Sequence, residues 1–267
     1  RDQLDLSELR TDQGKLVTWD DAVIVSDANG NAVITFPSVT GGPRITLVGT
    51  PADQISRPLL HAMGVPCFTA GTLIETPRGP VPVETLRPGD LVVTRDHGAV
   101  PVLWSGGRRL DAADLAAEPG LLPVTIRANA LGRHGALLLS PQHAVLVLTD
   151  QGERLVRARH LVELNDPRFR IARGKRRVSY HHILLERHGI VTANGLACET
   201  LYPGSMALAA LGPVARIEIA LAQPWLAGVV LGTADPLAVY GPTARPLALR
   251  RGLRLLDPAA RAARCVA

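Results

Sequence analysis

Cys67 is the residue whose type and setting most directly suggest covalent chemistry: it follows Pro66 and opens a long run of short apolar segments. A thiolate at such a position can attack the carbonyl of the residue before it and turn the preceding amide into a thioester. A free cysteine titrates near ~8.5, so an electropositive or hydrogen-bonding surround must favour its thiolate. A lone cysteine is otherwise a small buried hydrophobe. The remaining cysteines, Cys198 and Cys265, form no C-x-x-C pair with it, and no repeated zinc spacing occurs. Neither a disulfide framework nor a metal site is expected, and no cofactor. His181 and His182 are adjacent on an expected strand, so they face opposite ways and do not readily share a metal.

The elements that must position Cys67 are short strands. AVIVS (22–26) and AVITF (32–36) flank DANGN, an Asn-Gly turn signal, and ITLVG (45–49) follows a Gly-Gly-Pro break. A linker-like stretch, 50–65, leads to VPCFTAGT. Apolar runs then recur at 72–76, 81–86, 90–94, 100–104, 123–128, 136–140, 144–148, 154–158, 177–186 and 189–193. Glycine- and proline-bearing turns separate them, which predicts a curled or sandwich-like all-β domain. After Gly204 the texture becomes rich in Ala and Leu. SMALAAL (205–211) and residues 257–264 read as short helices, the latter with Asp257 as N-cap and Pro258 at its first position.

The segment VPCFTAGTLIETPRGPVPVETLRPGDLVVT resembles the first block of the Hedgehog/intein (Hint) superfamily over about thirty residues. LLLSPQHAVLV resembles the family's T-x-x-H block, with Ser140 in place of threonine and His143 as the histidine. YHHILLERHGIVTANGLACET resembles the closing block, with His188 before a strand that ends at Asn194-Gly195. The likeness is strongest to bacterial Hint domains that follow secreted calcium-binding-repeat regions. It implies a Hint-type curled, horseshoe-like β-sheet domain over 66–204. A β-rich flank, 1–62, would precede it and a mixed or helical tail, 205–267, would follow. No G-G-x-G-x-D repeat occurs, so no calcium site is expected in the flank.

The resemblance also implies roles. Cys67 would attack the Pro66 carbonyl, Ser140 would hydrogen-bond the scissile backbone, and His143, titrating near neutrality, would protonate the departing nitrogen. Serine keeps threonine's hydroxyl and loses the methyl that fixes its rotamer. His188 would assist; Cys198 is a lesser candidate and Asp96 a weak one. Glu84 and Asp90 belong to the family's structural turns. Splicing relatives end in His-Asn, where the asparagine cyclises. Here that pair falls near Glu199-Thr200, so one-sided, single-turnover cleavage is expected instead of splicing. Its substrate is the chain's own upstream polypeptide, and the acceptor is water or a thiol or amine nucleophile. Two alternatives stand beside it: a Hint fold kept as an inactive secretion or adhesion module, and a trans-acting hydrolase using Cys67, His143 and Asn165 or Asn194.

Composition sets the bounds of these expectations. The chain has 267 residues, 46% hydrophobic and only 3% aromatic, so its core must rest on Val, Leu, Ile and Ala. Residues 1–62 hold eight acids and five bases, and the net charge of +5 therefore collects in the remainder. Lys15 and Lys175 are the only lysines. The basic run from Arg168 to Arg177 includes a single aromatic, Phe169, and no recognisable nucleic-acid motif, so no nucleic-acid partner is expected. No apolar run reaches the ~18 residues of a membrane span. The opening Arg1, with no signal-peptide pattern, reads as the start of a piece of a longer protein, secreted or at the cell surface.

Overall fold

The computed structural model describes residues 10–14, 17, 21–47, 52, 66–211, 213–248, 253 and 255. Cys265 and the helix expected at 257–264 lie outside the described residues. The chain forms two compact units: residues 1–65 with 203–241, and residues 66–202 with 242–267.

In the first unit, β1 (Val23–Ser26), β2 (Ala32–Thr35) and β3 (Ile45–Leu47) form an antiparallel meander. The expected Asn-Gly turn joins β1 to β2. The Asp27 carboxylate accepts hydrogen bonds from the Asn29 and Asn31 amides, and Gly30 takes the left-handed conformation, φ 77°. Helices cover Ser205–Leu211, Pro213–Ala222, Ala227–Val230 and Pro236–Val239. Asp235 caps the last through the Leu237 amide, with Pro236 at its first position.

The second unit is built from β4 (Phe68–Thr69), β5 (Leu73–Ile74), β6 (Val81–Pro82), β7 (Leu91–Thr94), β8 (Gly98–Pro101), β9 (Trp104–Leu110) and β10 (Val124–Ile126). It continues with β11 (Leu137–Leu139), β12 (Ala144–Thr149), β13 (Gly152–Arg157), β14 (Phe169–Ile171), β15 (Val178–Leu184), β16 (Ile190–Ala193) and β17 (Leu196–Glu199). One sheet runs in the order β14-β10-β11-β4-β15-β9, the other β13-β12-β17-β16-β5-β6, with β7 and β8 joined through β16. The pairings between these strands are antiparallel, and their order matches the all-β expectation.

The 81–86 segment differs from its expected strand. Only Val81–Pro82 pairs, and Val83–Thr85 winds into a 3-10 turn. That turn lets both Glu84 carboxylate oxygens accept from the Gly71 amide, at 3.0 and 2.8 Å. Between the sheets lie Ile74, Ile126, Leu137, Leu139, Val145, Leu161, Ile183 and Leu185, with Phe68 and Phe169 as the large aromatic members. Each buried aliphatic side chain contributes about 1.5–3 kcal/mol relative to exposure. This mass of β-branched and leucine side chains fixes the strand register from which the site hangs.

Candidate functional site

The β4 strand is two residues long and lies between two longer partners. Phe68 registers with Leu139 of β11 on one side and with His181 of β15 on the other. Just before β4, the Ser140 amide donates to the Cys67 carbonyl at 3.0 Å. Because side chains alternate along a strand, pairing Phe68 with His181 sets Cys67 beside His182 on the other face.

The Pro66–Cys67 peptide bond is gripped at both of its polar atoms. The Cys67 amide nitrogen donates to Ser140 Oγ at 2.9 Å, and the Pro66 carbonyl oxygen lies 2.8 Å from His182 Nδ1. His182 Nε2 lies 3.7 Å from Cys67 Sγ. The thiol, the Pro66 carbonyl and the Cys67 nitrogen thus each have a side-chain partner within a single buried cluster. Trp104 stacks on the His182 ring, with centroids 6.5 Å apart and planes 21° from parallel. Its ring crosses Gly106, where an added Cβ would come within 2.2 Å of it. Glycine at 106 is therefore what lets Trp104 lie across the strand and hold the imidazole.

Electrostatics keep this cluster neutral at rest. Burial pushes the Cys67 thiol up to about 12, opposed by the hydrogen bond from Ser140 and by the Arg108 charge. Burial likewise draws His182 down to about 4, with the Pro66 carbonyl opposing. His143 is also drawn down to about 4 by burial, and its expected titration near neutrality is not met. It packs edge-on against Phe68 at 4.3 Å. Neither of its ring nitrogens completes a hydrogen bond, although the Cys67 and Glu199 backbone lies close enough to favour its charged form.

His188 belongs to a neighbouring network. Its Nδ1 accepts from the Ala244 amide at 2.9 Å, so its Nε2 carries the proton and faces the Thr200 carbonyl at 3.1 Å and Glu199 Oε2 at 3.3 Å. Glu199 Oε1 accepts from the Ala144 amide, next to His143. His188 thus reaches the Cys67 side through Glu199 and β12, without hydrogen-bonding Cys67 itself.

Other sequence candidates have structural partners. The Asn194 side chain accepts from the Leu73 amide and donates to the Ala136 carbonyl, and its left-handed backbone, φ 47°, forms the β16–β17 turn. Asn165 also takes a left-handed conformation, φ 57°, just past the short helix Ala158–Val162. Asp96 pairs with Arg245, and Asp90 accepts from the Arg87 amide. Cys198 lies in the apolar core, in register with Val145 and Val191. The sequence alone marks His182 as a strand neighbour of His181 and assigns it no role at Cys67. The signal that could have found it was its alternation with His181, joined to a β4–β15 register that only the fold supplies.

The Hint domain family model matches residues 66–205, just over half of the chain and all of the elements around Cys67. The chain belongs to the Hint domain family. Among solved structures, the Hint domain is similar to the bacterial intein-like domain from Clostridium thermocellum, with 17% identity, 50% of this chain and 97% of that one covered, and a TM-score of 0.35. It is also similar to the gp41-1 intein, with 14% identity, the same coverages and a TM-score of 0.30. No curated protein matches the chain. Among the described residues, no helix of this Hint protein is long and apolar enough to cross a membrane.

Proposed function

We propose that this Hint domain cuts its own chain at the Pro66–Cys67 bond by an N-to-S acyl shift. The observation that carries the proposal is the double grip on that bond: His182 at the Pro66 carbonyl oxygen and Ser140 at the Cys67 nitrogen, with the thiol beside both. The Cys67 thiol adds to the Pro66 carbonyl, the amide becomes a thioester, and water or a thiol or amine nucleophile resolves it. Ser140 and His143 flank the nitrogen side of the bond, and His188 acts one step removed, through Glu199. The upstream polypeptide is the substrate, and each chain turns over once. A secreted or cell-surface setting is part of the same proposal.

Cleavage without rejoining is supported at the other end of the domain. Glu199 and Thr200 stand where splicing relatives carry His-Asn, and neither side chain cyclises as asparagine does. The test is mass spectrometry of the full chain incubated with a small thiol. Two fragments meeting at Pro66–Cys67 are expected, and none from Cys67→Ala; an intact wild-type chain after prolonged thiol treatment would overturn the proposal.

One observation favours a second reading, an inactive Hint module that serves secretion or adhesion. The thiol sits buried and protonated, pushed up to about 12, and a neutral thiol is a poor nucleophile. The same incubation separates the two, because an inactive module leaves the Pro66–Cys67 bond intact.

A further inference from the structure

We propose that His182 is a catalytic residue of this cleavage, holding the Pro66 carbonyl oxygen through Nδ1–H and taking the Cys67 thiol proton at Nε2. The inference rests on the self-cleavage proposed above and goes beyond it by assigning the proton's route.

The tautomer follows from the partner. A carbonyl oxygen only accepts, so the 2.8 Å contact with Pro66 requires the hydrogen on Nδ1. Neutral imidazole then presents its lone pair at Nε2, which faces Cys67 Sγ at 3.7 Å, within reach of an S–H donor. One ring therefore meets the two atoms whose charges change when sulfur attacks. The ring is held in that pose: Trp104 stacks on it, and Gly106 leaves the room for Trp104 to do so. His143, the other buried histidine nearby, makes no hydrogen bond to either reacting atom.

The step balances without an added reactant. The S–H bond breaks and its proton moves to Nε2. The sulfur pair forms the bond to the Pro66 carbonyl carbon, and the carbonyl π pair moves onto oxygen. That oxyanion stays hydrogen-bonded to Nδ1–H of a ring that is now cationic, the arrangement that stabilises a tetrahedral intermediate most. On collapse the C=O bond re-forms and the C–N bond breaks. The Cys67 nitrogen takes up the proton held at Nε2. The products are a Pro66 thioester, a free Cys67 amine and a neutral His182.

The experiment uses the full chain and follows thiol-induced cleavage by mass spectrometry in wild type, His182→Gln, His182→Ala and Cys67→Ala. Glutamine keeps much of the size and a donor for Pro66 but supplies no base. Its expected cleavage rate is about 10²- to 10⁴-fold below wild type, the range for losing a positioned acid–base group. Added imidazole is expected to restore part of the rate in His182→Ala and none in Cys67→Ala. A His182→Gln chain that cleaves at the wild-type rate overturns the assignment. So does a folded His182→Ala chain that imidazole leaves inert; if alanine prevents folding, the glutamine variant decides alone. A wild-type chain that fails to cleave overturns the underlying self-cleavage instead, so the two failures are distinguishable.

Discussion

The two ends of the Hint domain bury similar polar groups and use them differently. Around Cys67, the Ser140 hydroxyl and the His182 imidazole are hydrogen-bonded to one peptide bond, at its nitrogen and its oxygen. Around Glu199, the buried polar groups bond to one another and to backbone groups of neighbouring segments. His188 meets Glu199 and Thr200, Glu199 meets the Ala144 amide, and the Thr200 hydroxyl accepts from Gly189. Buried polar groups need partners in either place. What differs is whether the partner is a bond that a neighbouring nucleophile can break. Under the proposed function the first end is the reaction site, while the second ties the β16–β17 hairpin to β12 and lies one step behind it.

The largest expected effect breaks the comparison at its first end. Cys67→Ala removes the nucleophile and is expected to abolish thiol-induced cleavage completely, read as a single intact mass. The next effect comes from pH and tests whether the first end is held together by neutral rings. His143 and His182 are both lowered to about 4 in the fold. Between that value and the ordinary ~6.5 of an unfolded histidine, the unfolded chain binds more protons than the native one. Stability therefore rises with pH through this window and is lost as pH falls through it, by up to about 1.4 kcal/mol per pH unit for each ring. Urea unfolding at pH 7 and pH 5 is expected to show a drop of a few kcal/mol. An unchanged midpoint would mean that both rings are solvated and that the cluster is open.

The two ends were not equally legible from the sequence. Cys67, Ser140 and His143 sit in ordered blocks of residue types, and the strands that carry them follow from short apolar runs between Gly and Pro turns. The role of Glu199 as a clasp was not legible, because its partners are the Ala144 amide, 55 residues earlier, and a histidine across a hairpin. His182 shows the limit most clearly. Alternation alone says that His181 and His182 face opposite ways, but not which one faces the cysteine. That choice depends on whether Phe68 registers with His181 or with its neighbour, and register is set by packing across two sheets. The burial that neutralises His143 is likewise a property of the assembled core, and no local pattern announces it.

A smaller effect sharpens the first end. Ser140→Ala removes the acceptor for the Cys67 amide and the hydroxyl that favours the Cys67 thiolate. Losing one such hydrogen bond is expected to slow cleavage about tenfold to a hundredfold, equivalent to roughly 1.5–3 kcal/mol. The fold should persist, since the backbone bond from the Ser140 amide to the Cys67 carbonyl remains. Loss of cleavage with unchanged unfolding behaviour supports the grip on the scissile nitrogen; an unchanged rate removes Ser140 from it.

The smallest effect separates two cysteines that burial alone does not distinguish. Cys198 is buried like Cys67, and burial raises its thiol as well, with the Glu199 carboxylate adding to the shift. Cys198 registers with Val145 and Val191 in the apolar core, away from the Pro66 carbonyl that Cys67 faces. Cys198→Ala is therefore expected to leave a sulfur-sized void that lowers stability by about 1 kcal/mol, while cleavage at Pro66–Cys67 continues at the wild-type rate. A Cys198→Ala chain that folds normally but fails to cleave would extend the reaction site across β17. Glu199, which already lies beside His143, would then be the connection between the two ends.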